Sequence, residues 1–377
     1  MATVTMDRPA DAREAKAPRS GSLDPRPEID GKERPETGAP VEVRTINLAL
    51  QGGGAHGAFA WGVLDRLLED ERIAFDGVSA TSAGAMNAAV LAYGLAEGGR
   101  EGARKALAGF WRRIAHAAVL SPLQPSPLDR MLHNHRLDWS PAFLLFDLMS
   151  RMFSPYDLNP ANLNPLRHVL EQSIDFDRLR ARCPIRLFLS ATNVRSGKVR
   201  VFETHEVTAD AVLASACLPF MFQAVEIDGE AYWDGGYMGN PVIFPLIYHC
   251  DSRDVVVVHI NPMRREQVPR TATEIMNRIN EISFNSSLMR EMRAIGFVTK
   301  LIDEGKIADG SMRRMLIHAI QAEEVMQNLS VMSKLNADWE FLTHLRDDGR
   351  AHADAWLARN FDRLDRESSV DIHGIYL

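Results

Sequence analysis

The sequence VRTINLALQGGGAHG, at residues 43–57, decides the fold class of this chain. Its first part, Val43–Leu50, is rich in β-branched and aliphatic residues and predicts a β-strand. A glycine-rich loop follows at once, and apolar residues at helical spacing then predict a helix over Ala58–Asp70. A strand, a tight loop and a helix in direct succession are typical of a layered α/β protein.

The same alternation of strands and helices continues outward from this segment. Further strands are predicted at Asp76–Thr81, Ile185–Thr192, Lys198–Phe202 and Val255–Ile260, and a helix of small residues at Ser82–Leu95. The unbroken apolar run of the last strand is typical of a strand covered on both faces, as in a mostly parallel sheet. After Pro262 the apolar residues keep helical spacing, so a helical C-terminal extension is predicted.

Composition excludes several classes of function. The 377 residues are 46% hydrophobic and 25% charged, as in an ordinary globular protein of one large domain or two small ones. The net charge of -7 argues against nucleic acid as a partner, because nucleic-acid binders carry a basic surface. Three cysteines at unrelated spacings predict neither disulfides nor a metal site, and no apolar stretch is long enough to span a membrane. The expected location is therefore the cytoplasm.

The first 42 residues differ from the rest of the chain. They hold six of the 19 prolines and few bulky apolar side chains, so they cannot bury enough surface to offset the entropy lost on ordering. We therefore expect residues 1–42 to be a disordered tail, residues 43–262 to be the α/β core, and residues 263–377 to be a helical extension packed on that core.

The glycine loop QGGGAHG, residues 51–57, fits three uses when it is taken alone. It satisfies the GxGxxG pattern of a dinucleotide site, but the acidic residue at the required distance, Asp76, begins its strand instead of ending it. A phosphate-binding P-loop is disfavoured, because the Gly-Lys-Ser/Thr sequence does not follow. Consecutive glycines also leave backbone N–H groups free to converge on a developing negative charge, as in an oxyanion hole. A plain turn without chemistry is the third use.

The second motif is the serine turn VSATSAGAMN, residues 78–87. Small residues stand two positions before and two positions after Ser82, at Ala80 and Gly84. That spacing meets the steric requirement of a nucleophile elbow, in which a sharp turn between a strand and a helix presents the serine hydroxyl. The start of the helix would also stabilise an alkoxide or an oxyanion. Taken alone, the motif favours the simpler alternative of a serine that caps the helix.

A serine nucleophile needs a base, and the sequence offers two kinds. The histidines that follow the serine turn, His205, His249, His259 and His318, lie in no recognisable loop context, and His259 is predicted to be a buried histidine of a core strand. The better candidate is Asp234 in the segment EAYWDGGY, residues 230–237, where two glycines after the acid predict a sharp, exposed turn. A surface turn capped by an aspartate has the same sequence signature.

Together, in this order and separation, the three motifs resemble those of the patatin-like phospholipase family, especially its bacterial members. The family pattern is a GGGx(R/K)G loop, a GxSxG serine turn and a later DG(G/A) aspartate, and here these are residues 52–57, 80–84 and 234–236. The small-residue stretch ASACLPF at residues 214–220 also resembles the family. The resemblance covers roughly residues 43–262 and implies a three-layer α/β/α fold with a mostly parallel central sheet.

The resemblance implies a serine lipid acyl hydrolase of the phospholipase A or lysophospholipase type. Ser82 is then the nucleophile and Asp234 its only partner in a Ser–Asp dyad, with an acyl-enzyme intermediate. The loop of the oxyanion hole consists of Gly52, Gly53, Gly54 and Gly57, with the N–H groups of Gly53 and Gly54 as donors. The nucleophile elbow is shaped by Ala80 and Gly84, and the turn of the proton acceptor by Gly235 and Gly236.

Two positions depart from the family pattern. His56 stands where the family has a basic residue, which makes any charge at this position dependent on pH. Ala80 replaces the first glycine of the serine turn, which affects the geometry of the elbow. Neither change removes a catalytic group.

The resemblance also sets the expected partners. The substrate is a phospholipid or another acyl ester, no cofactor or metal is implied, and a peripheral membrane contact and a homo-oligomer are left open. A lipid acyltransferase with the same dyad is an alternative, and so is a non-catalytic scaffold or binding protein, against which the intact Ser82 and Asp234 argue. The apolar segment 141–153 fits a lid or membrane-contacting helix, and equally a core or dimer-interface helix.

Overall fold

The computed structural model describes residues 42–119, 149, 152–308, 310–329 and 331–376. The tail predicted for residues 1–42 lies outside this range except for Glu42, and most of the apolar segment 141–153 lies outside it as well. Among the described residues, each helix is too short or too polar to cross a lipid bilayer.

The described residues form alternating strands and helices, close to the positions predicted from the sequence. The strands are β1 (Arg44–Leu50), β2 (Ile73–Ala80), β3 (Arg186–Asn193), β4 (Val199–Glu203), β5 (Val225–Ile227), β6 (Glu230–Asp234), β7 (Asp254–His259) and β8 (Leu316–Gln321). The helices are α1 (Gly57–Glu69), α2 (Ala83–Ala118), α3 (Pro155–Leu158), α4 (Pro165–Ser173), α5 (Phe176–Arg182), α6 (Ala209–Ser215), α7 (Phe244–His249), α8 (Ala272–Asp303), α9 (Glu323–Asn328), α10 (Trp339–Asn360) and α11 (Ile372–Tyr376). Short 3-10 turns at Gly54–His56 and Val331–Leu335 also matter for the site described below.

These strands form one mixed sheet in the order β5-β6-β3-β2-β1-β7-β8, with β4 paired to β3. The neighbours β3, β2, β1, β7 and β8 run parallel to one another. The remaining strands, β4, β5 and β6, run antiparallel to their partners. Parallel strands joined through helices place their carboxyl ends at one edge of the sheet, and ligand sites of α/β proteins form there.

Helices cover both faces of the sheet, because the central strands are apolar on both sides. In β7, Val256 and Val258 pack in the same cluster as α1 and α2, whereas Val255 and Val257 pack in the same cluster as α7 and α8. All four side chains are fully buried. This burial confirms the strand predicted to be covered on both faces, and it confirms the three-layer α/β/α fold.

The edge of β3 that faces β2 brings two parts of the chain together. β2 pairs with β3 as far as Ala80, which lies opposite Leu189. Two residues further along the same edge, β6 pairs with β3 and places Asp234 opposite Ala191. β4 pairs with the other edge of β3 over this stretch. The loop after β2 and the end of β6 therefore meet at one point of the sheet.

The region after residue 262 is largely helical, as predicted, and it also supplies a strand of the sheet. β8 pairs in parallel with β7 along its whole length. Tyr376 of α11 is fully buried, and its hydroxyl lies 2.6 Å from Nε2 of His259. The division of the chain at residue 262 into a core and an extension stays a prediction.

A close contact joins α1 to α10. A Cβ added at Gly62 would overlap the carbonyl oxygen of Arg346, and a Cβ added at Gly349 would overlap the carbonyl oxygen of Phe59. Both obstacles are backbone atoms, which cannot move aside as the end of a side chain can. The two glycines therefore let the helices approach with their backbones in contact.

Gly62→Ala should lower the free energy of unfolding by at least about 1–2 kcal/mol, as overpacking of a core usually does. This loss should appear even though alanine is the better helix former by about 1 kcal/mol. Urea unfolding followed by circular dichroism measures the change. Gly109→Ala, in α2, is the matched control, because a Cβ there meets only the flexible end of the Arg113 side chain, and it should be at least as stable as the wild type. A Gly62→Ala protein as stable as the wild type would contradict the packing of α1 on α10.

Candidate active site

Ser82 occupies a sharp turn between β2 and α2. Its backbone angles are φ 55° and ψ −123°, and its side chain makes no capping hydrogen bond to α2. A non-glycine residue in such a conformation costs on the order of 1–3 kcal/mol and persists only where its surroundings hold it. This is the backbone geometry of a nucleophile elbow, and the simpler alternative of a capping serine does not fit it. The turn forms with Ala80 in place of the usual glycine, as the fully buried last residue of β2.

Two glycines allow the serine turn to form directly against the glycine loop. A Cβ added at Gly84 would overlap the carbonyl oxygen of Leu50, the last residue of β1. A Cβ added at Gly52 would lie 2.5 Å from Cβ of Ser82. The two motifs recognised in the sequence are therefore in contact, and any larger residue at either position would separate them.

Hydrogen bonds from neighbouring loops hold the serine turn in its strained conformation. The backbone N–H of Ser82 donates to Oγ of Ser215 at 2.9 Å. The hydroxyl of Thr81 donates to the carbonyl oxygen of Gly239 at 2.7 Å and lies 2.5 Å from Oγ of Ser190. The conformation of Ser82 is thus fixed by contacts on both sides of the turn.

Asp234 ends β6, and its backbone is fixed from two directions. Its N–H donates to the carbonyl oxygen of Cys217 at 2.8 Å, and its carbonyl oxygen accepts a hydrogen bond from the hydroxyl of Thr192 at 2.9 Å. The next residue, Gly235, lies so close to β3 that a Cβ would overlap the carbonyl oxygen of Ser190. The turn is as sharp as predicted, but Asp234 is fully buried, so the prediction of an exposed position is wrong.

The carboxylate of Asp234 is enclosed beside the serine. Its Oδ1 accepts a hydrogen bond from the N–H of Gly236 at 2.7 Å, whereas its Oδ2 has no hydrogen-bond partner of ordinary geometry among the described residues. Burial raises the pKa of Asp234 to about 6, against the lowering effects of the Gly236 N–H, the Ser82 hydroxyl and the charge of Lys334. The Ser82 hydroxyl is therefore a neighbour of this carboxylate, in a loose contact of the kind that tightens when a substrate binds.

Among the described residues, the backbone N–H groups of two loop glycines have a hydrogen-bond acceptor, and those of the other two do not. The N–H of Gly52 donates to Oδ1 of Asn240 at 2.6 Å, and the N–H of Gly57 donates to the carbonyl oxygen of Gly54 in the 3-10 turn. In the described part of the chain, the N–H groups of Gly53 and Gly54 have no acceptor. Gly52 and Gly57 thus shape the loop, and Gly53 and Gly54 are the loop residues left to bind a ligand.

Ala83 adds a backbone donor that no motif in the sequence indicates. It is the first residue of α2, and its N–H has no acceptor within the described ranges. The residue after a nucleophile at an elbow is a usual source of an oxyanion-hole N–H, because it lies at the start of the helix. The residue type at position 83 does not indicate this role, because the donor is the backbone N–H and not the side chain.

The buried side chain of Gln51 joins the glycine loop to the residues that directly follow β7. Its Oε1 accepts hydrogen bonds from the N–H groups of Ile260 and Asn261 at 3.0 and 3.1 Å. Its Nε2 donates to the carbonyl oxygen of Asn240 at 3.2 Å. The side chain of Asn240 in turn binds the N–H of Gly52, so the loop is held by a connected set of amide groups.

Of the four histidines considered as bases, two are buried and have hydrogen-bond partners other than Ser82, and two lie at or just after the ends of other elements. Nε2 of His259 lies 2.6 Å from the Tyr376 hydroxyl, and burial lowers the pKa of His259 to about 4, which confirms a buried core histidine. Nε2 of His318 lies 2.8 Å from Oδ1 of the buried Asp254. The other two are His205, in a 3-10 turn after β4, and His249, at the end of α7.

His56 does not carry the pH-dependent charge expected for it. It is buried, with Nε2 2.7 Å from Oγ of Ser333. Burial lowers the pKa of His56 well below its usual range, and the charges of Lys334 and Arg265 lower it further. The imidazole is therefore neutral at neutral pH. A positive charge near the loop comes instead from Lys334, in the 3-10 turn Val331–Leu335. No motif in the sequence indicates this residue.

Within the described ranges, no group of three or more His, Cys, Asp or Glu side chains is arranged to hold a metal ion. The glycine loop is in contact with the serine turn, which favours the oxyanion hole among the uses left open by its sequence.

Residues 48–247 match a family of proteins described as patatin-like phospholipases. The match spans more than half of the 377 residues, and the chain therefore belongs to the patatin-like phospholipase family. The resemblance drawn from the three sequence motifs is thus confirmed. The family is described as one of phospholipases, so the chain is assigned to the lipid hydrolases.

VipD and ExoU–SpcU are among the solved structures that are similar to the chain at low sequence identity. VipD from Legionella pneumophila is 17% identical, with a TM-score of 0.39, over 85% of this chain and 67% of that one. A chain of the heterodimeric complex ExoU–SpcU, from the type III secretion system of Pseudomonas aeruginosa, is 16% identical, with a TM-score of 0.30, over 86% of this chain and 52% of that one. No curated protein sequence matches the chain.

Proposed function

We propose that the protein is a serine lipid acyl hydrolase of the phospholipase A or lysophospholipase type, with Ser82 as nucleophile and Asp234 as general base. One observation carries this proposal: a serine in strained backbone geometry lies beside a fully buried carboxylate that keeps one oxygen unpaired within the described residues. A serine with a purely structural role needs neither the strain nor the buried acid. Membership of the family supports the lipid class of substrate.

The first half of the reaction forms an acyl-enzyme. The Ser82 hydroxyl attacks the carbonyl carbon of the ester while its proton passes to Oδ2 of Asp234. The carbonyl oxygen becomes an oxyanion and accepts hydrogen bonds from the N–H groups of Gly53, Gly54 and Ala83. The intermediate then expels the alcohol, which takes the proton from Asp234, and the acyl group stays on Oγ of Ser82.

The second half of the reaction releases the acid. Water gives a proton to Asp234 and attacks the acyl carbon, and the new oxyanion binds the same N–H groups. The carboxylic acid then leaves, and the proton returns to Oγ of Ser82. If a second alcohol took the place of water, the same steps would transfer the acyl group, and analysis of the products separates this acyltransferase alternative from hydrolysis.

Asp234 can act as a base without a histidine because of its burial. An exposed aspartate has a pKa of about 4 and accepts a proton weakly. With its pKa raised to about 6, Asp234 is a stronger base and still mostly ionised at neutral pH. The bond from Gly236 to Oδ1 leaves Oδ2 as the oxygen that can take the serine proton.

We further propose a peripheral membrane contact through the outer face of α8. Ile275, Ile279 and Ile282 recur at helical spacing along this helix and are each 42–54% exposed. Further along α8, Arg290 and Arg293 form no ion pair with any described residue, so their charges are available to anionic lipid headgroups. An apolar stripe followed by unpaired cations is typical of a helix that lies on an anionic membrane.

The side of α8 opposite the three isoleucines packs against the turn that follows Asp234. The ring of Phe284 packs edge-on against Tyr237, with ring centroids 5.2 Å apart. A Cβ added at Gly236 would lie 2.9 Å from the same Phe284 ring. A membrane on the outer face of α8 would therefore be separated from the Asp234 turn by the width of this helix, about 10 Å. A homo-oligomer that covers this face is the competing prediction.

Ser82→Ala should reduce turnover of a soluble short-chain nitrophenyl ester by at least about 10³-fold, because the acyl-enzyme cannot form. An alkyl fluorophosphonate should label the wild type at Ser82, as peptide mass mapping can show, and should not label the variant. Ser196→Ala, at an exposed turn, is the matched control and should keep both activity and labelling. A label on another residue, or full turnover by Ser82→Ala, would refute the nucleophile.

Asp234→Asn should reduce turnover by at least about 10²-fold, because the amide cannot accept a proton. In the wild type, kcat/KM should fall as the pH drops through about 6, since protonation of the raised-pKa carboxyl removes the base. His249→Gln, His259→Gln and His318→Gln, where folded, should keep turnover near that of the wild type. A folded histidine variant as inactive as Asp234→Asn would replace the dyad by a Ser–His–Asp triad.

Changing both Ile279 and Ile282 to Glu should abolish cosedimentation with vesicles of phosphatidylcholine and phosphatidylserine, while turnover of the soluble ester stays unchanged. The wild type should bind these vesicles and bind pure phosphatidylcholine more weakly, because the arginines favour anionic lipid. Met312→Glu, which changes another exposed apolar residue, is the matched control and should bind as the wild type does. Unchanged vesicle binding by the double variant would refute the membrane face. If the wild type elutes as a dimer in gel filtration and the double variant elutes as a monomer, the outer face of α8 binds a second copy of the chain and not a membrane.

A further inference from the structure

A half-buried lysine from the C-terminal part of the chain, Lys334, reaches the glycine loop. Its Nζ donates to Oδ1 of Asn261 at 2.8 Å, and Nδ2 of Asn261 donates to the carbonyl oxygen of Gly52 at 2.7 Å. The same residue also meets the loop through its backbone, because a Cβ added at Gly54 would overlap the Lys334 carbonyl oxygen. Lys334 thus meets the loop directly through its backbone, and its ammonium group is linked to the loop through Asn261.

The charges around Lys334 do not cancel its own. Glu281 is buried and is already bound by two guanidinium groups, those of Arg265 at 2.7 Å and Arg278 at 3.1 Å. The other carboxylate that acts on Lys334 is that of Asp234, and its effect is smaller than the effect of Glu281. Among the described residues, Lys334 and these two arginines together outnumber the two carboxylates, which leaves a positive charge beside the glycine loop.

Because His56 is neutral, the positive charge beside the glycine loop depends on Lys334. His56 is the titratable group of the glycine loop itself, and its pKa is held well below the usual range, partly by Lys334. The loop therefore carries no charge of its own at neutral pH. A negative oxyanion beside Gly53 and Gly54 would have the Lys334 ammonium as a nearby positive charge, and fixed positive charge is what stabilises such an oxyanion.

We propose that Lys334 is a positioning residue of this site: through Asn261 and its own backbone it holds the glycine loop for the oxyanion, and it contributes positive charge at the same place. The inference rests on the proposed hydrolase function and deepens it. Lys334 lies outside residues 48–247, so the C-terminal region contributes to the site and is not only a cover for the sheet.

The ionisation of Lys334 gives this role a signature in the pH profile. Burial of the ammonium group lowers the pKa of Lys334 to about 8, so the charge is present at neutral pH and is lost as the pH rises through that value. Lys334 also lowers the pKa of Asp234, so removing its charge should raise that pKa further. A residue with a purely structural role would move neither limb of the profile.

The test compares the wild type with Lys334→Met, which removes the charge, and Lys334→Arg, which keeps it. On a soluble short-chain ester, Lys334→Met should lower kcat by at least about 10-fold, less than the 10²–10³-fold typical of a lost direct donor, with KM nearly unchanged. Lys334→Arg should restore most of this loss. Lys300→Met, at an exposed lysine of α8, is the matched control and should have the kcat of the wild type.

The pH profiles complete the test. In the wild type, kcat should fall as the pH rises through about 8, and in Lys334→Arg this basic limb should move up by at least about one pH unit, because guanidinium stays protonated. In Lys334→Met, the acidic limb of kcat/KM should move to higher pH. If Lys334→Met keeps wild-type kcat and both limbs, or if Lys334→Arg keeps a basic limb near that of the wild type, the inference is overturned.

Failure of the proposed function would look different. A wild type without esterase activity, or one labelled by a fluorophosphonate at a residue other than Ser82, overturns the hydrolase mechanism and the role of Lys334 with it. If the wild type is active and is labelled at Ser82, but the Lys334 variants keep the kcat and both pH limbs of the wild type, only the role of Lys334 is overturned. If Lys334→Met does not fold, the basic limb of Lys334→Arg decides the outcome.

Discussion

The site depends on one steric constraint, the backbone contact between the end of β1 and the serine turn after β2. Parallel pairing places Leu50 opposite Ala80, so the two strands end side by side and the loops that follow them start at the same level. Gly84 and Gly52 leave room for those loops to touch, at Leu50 and Ser82 respectively. The oxyanion donors proposed at Gly53 and Gly54 can face Ser82 only because this contact forms. The position of β6 completes the arrangement, since β3 pairs with β2 and then with β6 along one edge.

The sequence predicts the parts of the site that depend on local patterns. Strand and helix periodicity places the glycine loop, the serine turn and Asp234 at the ends of elements, and the small residues around Ser82 predict the elbow. The sequence does not predict what depends on pairing between distant segments. The burial of Asp234 and the bond from Gly52 to Asn240 are of this kind. So is β8, a short strand in a region where helical spacing dominates the pattern.

The residue type alone also gives a wrong expectation of charge where burial and neighbouring groups determine it. A histidine at position 56 suggests a group that titrates near neutral pH, but burial holds it neutral. Lys334 looks like an ordinary surface lysine in the sequence, because a single lysine in a helical region carries no signal of its own. Its ammonium group lies against Asn261, 73 positions earlier in the chain. Only the folded chain brings these two residues together, so neither charge could be assigned from the motifs.

A Ser–Asp dyad has to satisfy two opposing electrostatic demands. The base must keep a raised pKa to accept the serine proton, whereas the oxyanion needs positive charge nearby, and a cation in direct contact with Asp234 would lower that pKa. In the proposed dyad of Ser82 and Asp234, the two demands would be met by keeping the cation away from the carboxylate. The Lys334 ammonium donates to the neutral amide of Asn261 and not to the carboxylate, so it acts on Asp234 only at a distance. Burial therefore still dominates the pKa of Asp234, while the positive charge stays beside the loop that is proposed to bind the oxyanion.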